Sequence, residues 1–174
     1  MKNIIINILI VLLIGGIGFF ATDMFVKSQA KAEKWNKIAI LNSMELEALD
    51  GKQVHFDSVS AKKRLIMKFS TGCKHCNEEV EELKKLREEL ASYELVMMSY
   101  NDLISMRQFV KRHNLEADSM FTFYHDNSTE TAFFENRILP ALYIYKENAS
   151  LVFFHEGKMK AEDLKDALLS YQEE

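Results

Sequence analysis

The sequence predicts an α/β fold in which a central mixed β-sheet is flanked by helices and entered through an N-terminal β-hairpin. Apolar runs of strand length alternate with segments whose apolar residues recur at helical spacing, which implies right-handed β-α-β crossovers. Two pairs of short runs joined by turn-type residues, one early and one late, add antiparallel edges. Ahead of them stands an apolar stretch, Ile4 to Ala21, of the length of a transmembrane helix.

That stretch is broken only by Asn7 and softened by Gly15, Gly16 and Gly18, and Asp23 ends it. It is apolar all round, so it does not read as a core helix, which would keep a polar face. It meets the minimum of ~18 residues for a spanning helix and exceeds a usual signal-peptide core. Residues 1–26 are therefore expected to be a transmembrane signal-anchor, or a signal peptide if Ser28-Gln29-Ala30 serves as a cleavage site. The lysines at 27, 31, 34 and 37 would, under the positive-inside rule alone, argue against export of the C-terminal part of the chain. An early lysine, Lys2, before an apolar core is nonetheless the usual export layout. The folded part is expected on the extracytoplasmic (periplasmic) side. Residues 27–44 read as a linker, and 45–174 as one folded domain.

Within that domain, Glu45 to Leu49 and Val54 to Phe56 are short strands around Asp50-Gly51-Lys52, a hairpin signal. Arg64 to Phe69 is a buried strand entering the turn Ser70-Thr71-Gly72. From Cys73 the period changes: Val80, Leu83, Leu86 and Leu90 mark a helix, with Glu81 and Lys85 as an i,i+4 pair. Glu94 to Tyr100 is a second buried strand, and Ser105 to His113 a helix with Met106, Phe109 and Val110 inward. Met120 to Tyr124 reads as a strand and Thr129 to Asn136 as a short helix. Ala141 to Tyr145 and Leu151 to His155 form a hairpin across Lys146-Glu147-Asn148-Ala149-Ser150. Ala161 to Tyr171 closes the chain as a helix with Leu164, Ala167, Leu168 and Tyr171 on one face.

Of 174 residues, 48% are hydrophobic, enough for one packed core and against wholesale disorder. A formal charge of −4 without a basic cluster argues against a nucleic-acid partner. Cysteine usage is the most informative count, because the only two, Cys73 and Cys76, share one four-residue motif. A disulfide across so small a loop hardly constrains the unfolded chain, so it makes a poor staple. At a strand-to-helix junction, positions i and i+3 lie on one face with Cβ atoms about 5–6 Å apart. The helix N-terminus stabilises a thiolate, the form that attacks a disulfide. Cys73, first and more exposed, is the expected nucleophile, and Cys76, one turn inside, the resolving thiol, giving a redox-active Cys73-Cys76 disulfide. Lys74 and His75 are potentially cationic neighbours expected to tune the pair toward the thiolate. A metal site is the competing reading, since Cys73, His75 and Cys76 are three soft ligands. Structural zinc takes four, and His55, His113, His125 and His155 lack ligand spacing, so no metal is expected.

Pro140, the single proline, stands directly before a strand. Taken with the hairpin at Asp50-Gly51-Lys52, the strand into Cys73-Lys74-His75-Cys76, Glu79, Ile138-Leu139-Pro140 and the closing hairpin and helix, it makes Glu45 to Tyr171 resemble the membrane-anchored thioredoxin-like proteins of the TlpA/ResA type. The resemblance implies a thioredoxin-like fold and thiol–disulfide oxidoreductase activity without a dissociable cofactor. It implies a cis-proline at Leu139-Pro140 facing the cysteines, and proton handling by Glu79, one turn above Cys76. Glu78, Glu81 and Glu82 surround Glu79, so a solvated charge run is the competing reading of it. By resemblance, the partners are thiol- or disulfide-containing exported proteins such as apocytochromes, with a membrane electron-donor protein to recharge the thiols.

The sequence departs from that group in Gly72, where tryptophan is common, in Lys74-His75, where proline is frequent, and in Met67, where many thioredoxins bury an acid. Histidine before the second cysteine resembles strongly oxidising members instead. Three readings are open: a reductase, first; an oxidant of the same fold driven by His75; and a non-catalytic module that binds peptide or metal. Lys68, inside an apolar strand, has no explanation in the sequence. The aromatics Phe133, Phe134, Tyr143, Phe153 and Phe154 offer either a partner surface or core.

Overall fold

The computed structural model describes residues 42–126 and 138–171. The apolar run at 4–21, most of the linker and the short helix expected at Thr129 to Asn136, with Phe133 and Phe134, lie outside the described residues. Among the described residues, no helix is long and apolar enough to cross a membrane.

Among the described residues, seven strands form one mixed sheet: β1 (Met44–Ala48), β2 (Gln53–Phe56), β3 (Lys63–Phe69), β4 (Tyr93–Ser99), β5 (Phe121–His125), β6 (Ala141–Tyr145) and β7 (Leu151–Glu156). Their order is β2-β1-β5-β4-β3-β6-β7. The central β3–β4 and β4–β5 pairs are parallel, each joined through a helix, while β1–β2, β1–β5, β3–β6 and β6–β7 are antiparallel. Gly51, with φ +88, lets the first hairpin turn, and the Lys52 amide donates to Asp50 Oδ1 at 3.1 Å.

Among the described residues, three helices accompany the sheet: α1 (Lys74–Lys85), α2 (Leu103–Arg112) and α3 (Ala161–Ser170). α1 stops sooner than its apolar spacing predicts. Leu86 is its C-cap, and Leu90 is buried from the turns beyond it. The expected Glu81–Lys85 pair is replaced by i,i+3 pairs, Lys84 with Glu81 at 3.0 Å and Lys85 with Glu82 at 2.8 Å. Position 82 points its carboxylate toward α3, which brings Lys85 with it. Asp102 caps α2 by accepting from the Ser105 amide. Lys160, the N-cap of α3, makes no such bond. Glu82 of α1 instead accepts from the Ala161 amide at 3.1 Å.

One face of the sheet packs Leu65, Met67 and Phe69 with Val80, Leu83, Met106, Phe109, Leu164 and Leu168 of the helices. Burying each such side chain stabilises the fold by about 1.5–3 kcal/mol. The other face gathers Ile66, Val96, Met98, Tyr143 and Tyr145. Tyr143 is fully buried, so it belongs to the core and not to a partner surface. Lys68 lies on this face too. Its Nζ is 3.0 Å from Asp126 Oδ2, and both side chains are buried, which accounts for a lysine in an apolar strand.

Candidate active site

The site forms where β3 ends. The Thr71 amide donates to Asn101 Oδ1 at 2.9 Å, tying the turn to the end of β4, and the Cys73 amide donates to Ser70 O at 3.1 Å. Cys73 is the N-cap of α1. Its backbone is extended (φ −77, ψ 120), and its sulfur accepts from the Cys76 amide at 3.2 Å. Serine or aspartate oxygen usually fills this place; here a sulfur stands against the positive end of the helix. Cys73 is half-buried, and its thiol donates to the Leu139 carbonyl at 3.7 Å. The Leu139–Pro140 peptide is cis, and the Gly157 amide holds the Pro140 carbonyl at 2.8 Å.

Cys76 is fully buried in the core beneath α1. Burial first, and then the Cys73 sulfur, push its thiol well above the ordinary cysteine range. Both cysteines are free thiols.

Glu79 is not part of a solvated charge run. It is fully buried, its Oε2 accepts from the Met159 amide at 2.8 Å, and Oε1 has no hydrogen-bond partner among the described residues. Burial pushes its carboxyl up to about 7, against the opposing pull of the Met159 amide. It also lies close enough to Cys76 for its charge to raise that thiol further.

Lys74 and His75 are exposed and turn toward Glu78. Lys74 Nζ is 3.9 Å and His75 Nδ1 3.6 Å from its carboxylate, where Lys158 stands at 3.1 Å. Lys158 chiefly holds Glu78 below the usual carboxylate range. A cation paired to a solvated carboxylate contributes little at a distance. Cys73, Cys76, Leu139 and Pro140 thus meet in one place with Glu79 behind them, while Lys74 and His75 form a rim pair with Glu78. Met67, at the position where many thioredoxins bury an acid, is packed in the core with Cys76. A Cβ added at Gly72 would meet nothing within 4 Å, so the missing tryptophan leaves open space beside Cys73.

Sequence reasoning missed two polar groups here, Asn77 and His113. The Asn77 side chain donates to the Cys73 carbonyl at 2.6 Å, and His113 Nε2 lies 2.8 Å from Asn77 Oδ1. An asparagine in the turn after the second cysteine could have been noticed; no local signal connects it to His113.

Comparison with known proteins decides the family, because the model of the AhpC/TSA family matches residues 39–159. The chain belongs to the AhpC/TSA family. This AhpC/TSA-family chain is 21% identical over 169 residues to the thioredoxin-like protein YneN of Bacillus subtilis, covering 97% of the chain and 98% of that protein. Its fold is that of thioredoxin-like thiol–disulfide oxidoreductases. A secreted disulfide oxidoreductase of Mycobacterium tuberculosis homologous to DsbE of E. coli has a TM-score of 0.62 at 18% identity, covering 78% of this chain and 98% of that one. StoA of Bacillus subtilis has a TM-score of 0.59 at 17% identity, covering 74% and 97% respectively. The family read from the motifs and the α/β architecture therefore stand.

Proposed function

We propose that this chain is a membrane-anchored, extracytoplasmic thiol–disulfide oxidoreductase that reduces disulfides of exported proteins through Cys73 and Cys76. The observation that carries the reading is the pairing of a half-exposed Cys73 sulfur at a helix N-terminus with a buried, protonated Cys76 thiol behind it. In the proposed reaction the Cys73 thiolate attacks one sulfur of a partner disulfide. The partner S–S bond breaks, a Cys73–partner mixed disulfide forms, and the displaced partner sulfur leaves as a thiolate that takes up a proton. Cys76 must then lose its proton. Glu79, with a carboxyl near 7 and an unfilled Oε1, is the proposed acceptor. The Cys76 thiolate attacks Cys73 Sγ, which forms the Cys73–Cys76 disulfide and releases the second partner thiolate. Two electrons have passed to the partner, and a membrane donor returns them.

Three exposed apolar side chains support a protein substrate. Tyr100 and Ile104 flank Asn101, which holds the turn before Cys73, and Ile138 precedes Leu139. Extracytoplasmic placement draws on the apolar run at 4–21 and on similarity to the secreted M. tuberculosis protein and an exposed lipoprotein thioredoxin of Streptococcus pneumoniae. The positions of Lys74 and His75 beside Glu78 favour a reductase over an oxidant driven by His75. Trapping tests the reading. With Cys76→Ser, a mixed disulfide through Cys73 should accumulate on exported proteins in membranes. Its absence, with wild-type protein equally inert toward disulfides, would favour a binding module.

A further inference from the structure

A line of hydrogen bonds reaches the reactive cysteine from a neighbouring helix. The Cys73 carbonyl accepts twice from Asn77, from its backbone amide at 3.1 Å and from its side-chain Nδ2 at 2.6 Å. Because Nδ2 faces that carbonyl oxygen, Oδ1 is the atom turned to α2. There it meets His113 Nε2 at 2.8 Å and the Arg112 guanidinium at 3.3 Å. His113 is the C-cap of α2 and is nearly buried, its ring against Phe109 with centroids 4.5 Å apart. Its Nδ1 lies 2.8 Å from Glu81 Oε1, and its carbonyl accepts from Lys84 Nζ at 2.6 Å. Each ring nitrogen therefore faces an oxygen acceptor. The hydrogen bond with His113 chiefly holds Glu81 below the usual carboxylate range.

We propose that Asn77 and His113 are positioning residues for thiol exchange at Cys73, a role that rests on the reading of Cys73 as nucleophile. Asn77 clamps the N-cap carbonyl, which fixes the orientation in which the Cys73 sulfur meets the Cys76 amide. His113 and the Arg112 guanidinium hold the Asn77 amide by its Oδ1, with the amide dipole running from these α2 donors toward Cys73, so positive potential is delivered where the thiolate forms. The two side chains between the cysteines do not supply this, since Lys74 and His75 turn away to Glu78.

The test measures the rate at which iodoacetamide modifies Cys73 in the reduced full chain at fixed neutral pH, together with the equilibrium potential against glutathione. Asn77→Ala is expected to slow Cys73 modification about three- to tenfold, the worth of one hydrogen bond, and to make the potential more reducing. His113→Leu should match it, and the two together should slow no further than either alone. His113→Gln, which keeps a donor toward Asn77 Oδ1, should stay within about twofold of wild type. An unchanged rate and potential in Asn77→Ala would overturn the proposal even if its melting temperature fell, and so would His113→Gln behaving like His113→Leu. Should His113→Leu not fold, Asn77→Ala and His113→Gln still carry the comparison. A wild-type Cys73 no more reactive than Cys76 would instead remove the nucleophile reading on which the proposal rests.

Discussion

The Glu79 carboxylate joins α1 to the entrance of α3: Oε2 accepts from the Met159 amide at 2.8 Å, while Oε1 is buried without a hydrogen-bond partner among the described residues. One oxygen is structural, and the other is left for a proton. This division allows the two roles to be separated by experiment.

The stability role has a defined sign. Burial raises the Glu79 carboxyl from 4.5 to about 7, so the folded chain binds the proton more tightly than the unfolded one. Glu79 therefore favours the fold most below about pH 4.5, and its contribution is lost as pH rises toward 7. The full difference is on the order of 3 kcal/mol. Glu79→Gln keeps an oxygen for the Met159 amide and removes the titration. Relative to wild type, the variant should gain stability between pH 5 and pH 8, read as a rising difference in urea midpoints. A constant difference would contradict a raised carboxyl.

The chemical role predicts a separate effect of the same variant. Without a proton acceptor beside Cys76, the mixed disulfide at Cys73 should resolve more slowly, by about a hundredfold if general base catalysis is at work. Stopped-flow release of a chromophoric thiol from a Cys73 mixed disulfide measures it. Equal release rates would leave Glu79 a purely structural tie.

Cys73 and Cys76 should differ in reactivity, because Cys76 is fully buried and its thiol is held protonated. In the reduced protein, iodoacetamide at neutral pH is expected to modify Cys73 at least about tenfold faster than Cys76. Peptide mapping of partially modified protein decides this.

Much of the site was legible in the sequence, and the limits have physical causes. The Cys73–Cys76 spacing, the strand before it and the proline before β6 are local patterns, and each falls where the fold needs it. Lys68 announced a problem that its neighbours could not solve, since its partner, Asp126, is brought beside it only by the pairing of β3, β4 and β5. Resemblance singled out Glu79, but spacing alone left it indistinct from Glu78, Glu81 and Glu82, because helical spacing cannot show which face α3 covers. The same limit concealed His113, which reaches Asn77 across two helices.

Lys68 and Asp126 give a prediction of their own. Lys68→Met would leave a buried carboxylate facing an apolar side chain, at a cost of about 3–5 kcal/mol. Lys68→Met with Asp126→Asn should cost less than the single change, because no uncompensated charge remains. Denaturant unfolding of both variants checks it.

His75 separates the reductase from the oxidant reading. It is exposed and 3.6 Å from the solvated Glu78 carboxylate, where water screens the pair. His75→Ala should therefore move the potential of the pair by less than about 25 mV. A shift several times larger would show that His75 governs the disulfide.

The most direct test of Cys73–Cys76 chemistry is the reduction potential of the pair, obtained by equilibrating the protein against dithiothreitol or glutathione and counting alkylated thiols by mass. A single two-electron transition near the thioredoxin value of about −270 mV, or below it, is the expected result. A value near −120 mV would contradict the reductase, and cysteines that never pair would contradict thiol–disulfide exchange altogether.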